Sequence, residues 1–217
     1  MEPDAVEIRV VGCLIEKQRT TPDAYPLSLN ALRLACNQST NRDPVVDYDE
    51  ETVSDALRRL ALRGWTRLAS GAGSRARKYR HLMPEALGVD EAQLSLLAVL
   101  MLRGTQTPGE LKQRSERLHH FDGLGAVAET LDGLIERGYV VRLERRPGQK
   151  EERYRHLLGA EDGSAVEAAP APVASAPPVA AAEPAADGGE DRLDRLEREV
   201  AALRAELADL REALGDA

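Results

Sequence analysis

An internal repeat is the feature that most constrains the fold, because a chain that contains one unit twice must build a similar structure twice. The segment ALRRLALRGW (56–65) is similar to TLDGLIERGY (130–139), and each leads to the same residues, YRHL, at 79–82 and 154–157. Five positions recur 74 residues apart: Val53, Leu57, Leu60, Gly64 and Trp65 correspond to Val127, Leu131, Leu134, Gly138 and Tyr139.

The upstream part of the repeat has a different spacing. LIEKQRTTP (14–22) matches LMLRGTQTP (100–108) at an offset of 86 residues, so the first copy contains about twelve extra residues before its third helix. We expect the first helices near residues 5–18 and 91–103. The second of these is apolar almost throughout, which predicts a place at the centre of its domain.

Capping signals predict where the second helices begin. In the second copy, Thr107 as N-cap, Pro108 at the first helical position and Glu110 at the third form the pattern of a capping box. In the first copy, Pro26 marks the equivalent start and leads into LSLNALRLA.

The third helix of each copy is expected to bury its repeated valine and leucines and to end at a left-handed glycine, Gly64 or Gly138. A short strand, a turn at 71–73 or 147–148, and a second strand ending at Tyr79 or Tyr154 then predict a β-hairpin.

Three helices followed by a hairpin, twice over, predict tandem winged helix-turn-helix domains in a chain that is mainly α with small β-hairpins, an α+β class. We place the first domain at residues 4–83 and the second at 88–158. The alternative is another small α+β domain with a hairpin. The TPGEL…LxxLxxRGYVxR pattern resembles the winged helix-turn-helix of bacterial regulators.

The stretch ACNQSTNRDPV (35–45), which follows TTPDAYPLSLNAL, resembles the YceH-like family of bacterial proteins. The resemblance covers about residues 5–158 and extends to the C-terminal helix. It implies a tandem winged-helix fold and brings no catalytic residues with it.

The C-terminal region divides into two parts. Residues 159–190 are rich in Ala, Pro, Gly and Ser and lack aromatics, which predicts a disordered linker. Residues 191–215 carry an a/d seam of apolar side chains that predicts a coiled coil and self-association: Leu193, Leu196, Val200, Leu203, Leu207, Leu210 and Leu214. A dimer is the simplest assembly, and a trimer or a single amphipathic helix remain alternatives.

The net charge of -8 is unevenly distributed. Residues 1–82 carry a net charge of +2, residues 83–158 of -1 and residues 159–217 of -9. The folded part is therefore nearly neutral, and it can bind nucleic acid only if its cations are clustered.

The predicted hairpins, or wings, contain such clusters, although the same charges could serve only to keep the hairpins solvated. The candidate DNA-binding residues of the wings and third helix are Arg58, Arg59, Arg75, Arg77, Lys78, Arg80, Arg145 and Arg146. The third helices argue against specific reading of bases: the first begins with four acidic residues between 47 and 51, and the second offers no outward donor before Arg137.

The residues between the second and third helices of the first copy are a second candidate. The polar side chains of Asn37, Gln38, Asn41 and Arg42 form either a surface that meets a ligand, with Arg42 as its anchor, or a loop that satisfies its own polar groups.

No enzyme, cofactor or metal site is expected. His119 and His120 with Glu116 and Asp122 could suggest a metal, but adjacent histidines point apart and no third ligand has zinc spacing. Cys13 is expected to pack on an apolar helix face. The two isolated thiols are typical of a reducing cytoplasm, and no apolar run is long enough to span a membrane.

Two functions therefore stay open. The first is a cytoplasmic, oligomeric winged-helix protein that contacts double-stranded DNA mainly through its basic wings, as a regulator would. The second is a scaffold that binds other proteins without direct DNA contact, resembling in architecture the acidic tandem winged-helix subunits of chromosome-condensing complexes.

Overall fold

The computed structural model describes residues 2–69, 77–145 and 151–159. The first repeat contains α1 (Ala5–Thr20), a short 3-10 helix (Pro22–Ala24), β1 (Leu27–Ser28), α2 (Leu29–Cys36), α3 (Glu50–Leu62), β2 (Thr66–Leu68) and β3 (Lys78–His81). The connecting helix α4 (Met83–Leu87) leads to the second repeat, with α5 (Glu91–Arg103), α6 (Pro108–Ser115), α7 (Leu124–Glu136), β4 (Val140–Leu143) and β5 (Arg153–His156). The described chain is thus a mixed α and β structure.

Capping side chains mark the starts of α1, α2, α3, α5 and α6. Thr107 accepts from the Glu110 backbone N–H while the Glu110 side chain accepts from that of Thr107, which confirms the expected capping box of α6. The expectation for α2 was wrong by three residues. Ser28 is the N-cap, and its hydroxyl accepts from the Ala31 N–H at 3.3 Å, because Leu27 and Ser28 first pair with β3 as a strand.

The two sheets repeat one topology. In the first, β3 lies between β1 and β2, and Leu27 pairs with Tyr79. In the second, β4 pairs with β5, and Gln106 forms an isolated bridge to Tyr154. Since Tyr79 and Tyr154 are equivalent in the repeat, each hairpin receives an extra extended segment from the residues before its second helix. The second strands continue to His81 and His156, two residues further than expected.

The repeated apolar positions form the core. Gly64 and Gly138 adopt φ of 75° and 72°, as expected for the glycine that ends each third helix. The buried side chains of the third helices include Val53, Leu57, Leu60, Val127, Leu131 and Leu134. The stripe predicted from the sequence is therefore confirmed in both copies.

The helices α1 and α5 join the two repeats in one core. Every residue from Leu94 to Leu102 of α5 is buried, as are Glu7 to Ile15 of α1. A Cβ at Gly12 would lie 3.0 Å from Cδ2 of Leu102, so the Leu102 side chain of α5 packs directly on the α1 backbone at this glycine. The core is continuous between the repeats.

Some predictions lie outside the described residues. These are the hairpin turns at 71–73 and 147–148, the linker 159–190 except for Gly159, and the coiled coil with its seam residues Leu193, Leu196, Val200, Leu203, Leu207 and Leu210.

Two histidines close the hairpins in the same way. Nδ1 of His81 accepts from the Met83 N–H at 3.3 Å, and Nδ1 of His156 accepts from the Leu158 N–H at 3.4 Å. Burial lowers the pKa of each imidazole to about 4, because the charged form loses its hydration. Both rings are therefore neutral in the folded protein at neutral pH.

Stability should fall on acidification. Below the ordinary histidine pKa of about 6.5 the unfolded chain takes up protons that the folded chain excludes, until pH reaches about 4. At about pH 5 this lowers the free energy of unfolding by about 2 kcal/mol per histidine relative to neutral pH. Urea denaturation at both pH values measures the difference.

His81→Asn with His156→Asn keeps a side-chain acceptor but removes the titrating group, so its pH dependence should be much weaker. The control His120→Asn changes an exposed histidine and should behave as the parent. An equally steep loss in the double variant would contradict the assignment.

Candidate functional site

The loop 37–49 between α2 and α3 is held by a buried arginine. The Arg42 guanidinium donates to Glu16 of α1 through two bonds, Nη1 to Oε1 at 3.1 Å and Nη2 to Oε2 at 2.5 Å. Its Nε donates to the Ala35 carbonyl at 3.0 Å. The expectation that Arg42 lies on the loop surface as a ligand anchor was wrong, because its side chain is fully buried against α1 and α2.

Burial disfavours the charge on Arg42, but the hydrogen bonds with Glu16 and the nearby acidic groups outweigh it, and the pKa of Arg42 is raised. A bidentate, buried pair of this kind is costly to break, since either partner alone would be a charge without compensation.

The other polar residues of the loop 37–49 are also used within the fold. The Asn37 amide accepts from the Tyr48 N–H at 2.9 Å and donates to the Tyr48 carbonyl at 2.8 Å. The Gln38 side chain accepts from Arg42 at 3.0 Å. From α1, buried Arg9 donates to the Pro44 carbonyl at 2.7 Å.

The loop also reaches the second repeat. The Asp43 N–H donates to the Leu102 carbonyl at 2.9 Å, and the Arg103 guanidinium donates to the Asn41 side chain. Asn41 adopts a left-handed φ of 60°, which asparagine tolerates better than most residues. The loop 37–49, which contains the extra residues of the first copy, is therefore bound to α5 of the second repeat.

The structure brings together two cysteines that the sequence had left isolated. Cys13 of α1 and Cys36 of α2 are both buried, and the Cys13 thiol donates to the Ala35 carbonyl at 3.4 Å. The neighbouring Cys13 thiol and burial raise the pKa of Cys36 well above its usual range. Their separation of 23 residues in the sequence gave no signal, because the contact depends on how α1 packs against α2.

The hairpin of the first repeat carries a row of cations on one face. Arg67 lies directly opposite Arg80, and both lie on the face away from the buried pair Thr66 and His81. Lys78 shares that face by strand alternation. Within the described residues, Arg67, Arg77 and Arg80 form no ion pair with a carboxylate. Arg75 lies outside the described residues.

Three described arginines of the second hairpin are paired with carboxylates of the hairpin itself, of α6 or of α7. Arg142 contacts Asp132 of α7 at 3.0 Å and Glu152 at 3.6 Å. Arg145 contacts Glu152 at 3.6 Å, and Arg153 contacts Glu110 at 3.4 Å. Arg146 lies outside the described residues. The candidate Arg145 is thus paired within the protein.

The third-helix candidates are paired as well. Arg58 forms an ion pair with Asp55 one turn earlier. Arg59 contacts Asp4 at 2.7 Å and the buried Glu7 at 3.2 Å, which ties α3 to the start of α1. Sequence reasoning missed these partners of Arg59, since they lie more than fifty residues away along the chain.

The histidines near α6 serve separate contacts. His120 lies 2.5 Å from Glu116 and 3.8 Å from Asp122, whereas the His119 ring packs edge-on against Phe121 with centroids 4.7 Å apart. The hydrogen bond with His120 lowers the pKa of Glu116. In the described residues, no three His, Cys, Asp or Glu side chains come together as metal ligands would.

These features define a class: a protein of two successive helix–hairpin units that share one core. In the described part of the two hairpins, Arg67, Arg77 and Arg80 of the first have no carboxylate partner, whereas Arg142, Arg145 and Arg153 of the second do. None of the described helices has the length and apolar character that crossing a membrane requires.

The chain belongs to the family described as "Protein of unknown function, DUF480", whose model matches residues 4–149. It is 50% identical over 172 residues to a UPF0502 protein of Geotalea daltonii, covering 78% of each chain. It is 49% identical over 168 residues to a UPF0502 protein of Solibacter usitatus, covering 77% of this chain and 81% of the relative. A UPF0502 protein of Pseudomonas aeruginosa is 50% identical over 166 residues, covering 76% and 74%.

Removal of the buried charge in the loop 37–49 should destabilise the fold. Arg42→Met leaves Glu16 without its partner and is expected to lower the free energy of unfolding by about 3 kcal/mol. Adding Glu16→Gln should restore part of that loss, because no charge is then left buried alone. Chemical denaturation measures both.

Arg58→Met is the matched control, since it breaks an exposed pair worth less than about 1 kcal/mol. Equal losses from Arg42→Met and Arg58→Met would show that the buried pair has no special role.

Proposed function

We propose that the two helix–hairpin units are tandem winged-helix domains and that the protein binds double-stranded DNA, without catalysis, through the hairpin of its first unit. One observation carries the proposal. Two of the three carboxylates that contact arginines of the second hairpin, Asp132 and Glu152, correspond in the repeat to Arg58 and Arg77. The same backbone thus carries carboxylates beside one hairpin and arginines in their places beside the other.

The charge pattern of the first hairpin is costly without an anionic partner. Like charges directly opposite on neighbouring strands destabilise a sheet, and Arg67 faces Arg80 in this way. Phosphates of a DNA backbone would supply the missing negative charge.

We expect this binding to depend only weakly on the base sequence of the DNA. The third helix of a winged-helix domain is the element that reads bases, but α3 opens with Asp49, Glu50 and Glu51, and its Arg58 and Arg59 are held in ion pairs. Contacts to phosphate position a protein on DNA without reading bases. The wing would therefore dominate the affinity.

A protein-binding scaffold is the second candidate, and the surface of α3 favours it. The acidic start of this helix would repel phosphates, and Leu62 at its end is 87% exposed. An acidic surface with an exposed leucine suits a protein partner better than DNA.

The remaining proposals come from the sequence. They are the YceH-like resemblance, a cytoplasmic location and self-association through the a/d seam of residues 191–215. Together they describe a binding protein that acts as an oligomer. Two associated copies would bind DNA more tightly than one, because the second contact is intramolecular.

Salt dependence tests the DNA proposal. With four or five phosphate contacts, the logarithm of the affinity for a generic duplex should fall against the logarithm of salt with a slope of about -4. Replacing Arg67, Arg77 and Arg80 by Ala should make that slope shallower by about 2.7, at about 0.9 per contact. Fluorescence anisotropy across a salt series measures both slopes.

The matched control replaces Arg142, Arg145 and Arg153 by Ala, which removes the same charge from the neutralised hairpin and should leave the slope nearly unchanged. Arg77→Ala alone, at an exposed position, should still reduce the slope by about 0.9 even if the triple variant folds poorly. Equal effects of the two triple variants, or no binding by the parent, would favour the scaffold instead.

Self-association has its own test. Deleting residues 191–217 should lower the mass measured by light scattering to that of a single chain, because the apolar seam is removed. A parent that is already a monomer would contradict the coiled coil.

A further inference from the structure

A cavity of about 400 Å³ lies where the loop 37–49 meets the second repeat. Its walls come from the end of α1, the loop, α5 and α6, so neither repeat forms it alone. Val99, Leu102 and Leu118 supply an apolar part, and three arginines surround it: Arg103, Arg114 and Arg117. The volume falls within the range of about 300–1,000 Å³ that is usual for small-molecule pockets.

The charges around the cavity are predominantly positive. Its one carboxylate, Glu16, is already bound to Arg42 at 2.5 Å and lies 3.7 Å from Lys17. Arg114 contacts Glu110 at 3.4 Å. Arg117 forms no hydrogen bond or ion pair with any described residue. The cavity therefore holds more positive charge than its neighbours neutralise.

Of the three arginines, Arg103 is the one whose guanidinium is held in place at the cavity by a neighbouring side chain. Its guanidinium is held by the Asn41 side chain, which fixes it at the cavity wall. Burial, and then the positive charges of Arg114 and Arg42, lower the pKa of Arg103. Repulsion between converging guanidinium groups is relieved when an anion binds between them.

We propose that this cavity is a binding site for a small molecule that carries a phosphate group, with Arg103, Arg114 and Arg117 as its ligands and the apolar wall beside the rest of the molecule. Guanidinium groups match phosphate oxygens in geometry and charge. A concave site favours a compact ligand over a duplex. The site is separate from the cationic hairpin, and it does not rest on the DNA proposal.

Because the loop 37–49 contributes to the cavity, a ligand bound there should stabilise the folded protein. Asn41 holds Arg103 at the cavity wall, and the neighbouring Arg42 is bound to Glu16, which also lines the cavity. A bound phosphate would therefore hold α5 and α6 together through its arginine ligands, and Asn41 would connect the site to the first repeat through Arg103. Ligand binding to the folded state alone should raise the midpoint of thermal unfolding.

Inorganic pyrophosphate is the probe, titrated into the full chain in a phosphate-free buffer and followed by isothermal titration calorimetry. We expect saturable binding with one site per chain. Arg117→Ala should weaken it at least about ten-fold, the loss that one charge-assisted hydrogen bond produces. Arg103→Met should weaken it similarly.

Arg145→Ala is the control, because it removes one exposed arginine elsewhere and should leave the affinity unchanged. The triple change of Arg67, Arg77 and Arg80 to Ala should also leave the pyrophosphate affinity unchanged. The proposal for this cavity and the proposal for the hairpin are therefore tested independently. Absence of saturable binding at millimolar pyrophosphate, or equal weakening by Arg145→Ala and Arg117→Ala, would overturn the proposal. Loss of duplex DNA affinity in Arg117→Ala, with DNA displacing pyrophosphate, would reassign the cavity to the DNA backbone.

Discussion

The close packing of α1 against α5 is the contact on which the rest of the structure depends. It is possible because Gly12 has no side chain where Leu102 approaches. The contact joins two cores that would each be small alone, and small cores bury too little apolar surface to be stable. It also brings the loop 37–49 of the first repeat beside Leu102 and Arg103 of the second. The cavity between the repeats follows from that placement.

The buried arginines determine the path of the loop 37–49, which apolar packing alone does not. Apolar contacts are not directional, so α1 and α5 alone would not determine the path of the loop 37–49. Arg9 and Arg42 do determine it, since each must find its hydrogen-bond partners to be buried at all. Their acceptors are backbone carbonyls of α2 and of the loop, together with Glu16. Such groups select one arrangement more than they add stability.

The sequence could predict what depends on local pattern. The spacing of Val53, Leu57 and Leu60, the helix-ending Gly64 and the capping residues of α6 each act within a few positions along the chain. The same logic could have found Ser28 as the N-cap of α2, since serine before an apolar-periodic segment is a start signal. The two hairpins could be predicted as well, because the helix-ending glycine and the aromatic residue that starts the next strand recur together in both copies.

What the sequence could not predict depends on contacts between distant residues. Arg42 pairs with Glu16 across 26 positions, and Arg59 pairs with Asp4 across 55. Charged residues in a loop or on a helix look alike in sequence whether they face water or a partner, so the sequence alone predicts exposed positions for Arg42, Arg58 and Arg59. The proximity of Cys13 to Cys36 and of Arg103 to Arg114 is set by helix packing in the same way.

The two repeats separate what the fold requires from what it merely permits. Both copies keep the buried valine and leucines, the left-handed glycine and the histidine that closes the hairpin, so these belong to the architecture. The surface charges differ between copies under the same backbone. Asp132 and Glu152 neutralise one hairpin, and Arg58 and Arg77 stand in their places near the other. Because the fold is satisfied either way, the cationic face of the first hairpin is not a structural necessity, and this is the reason that we propose an anionic partner for it.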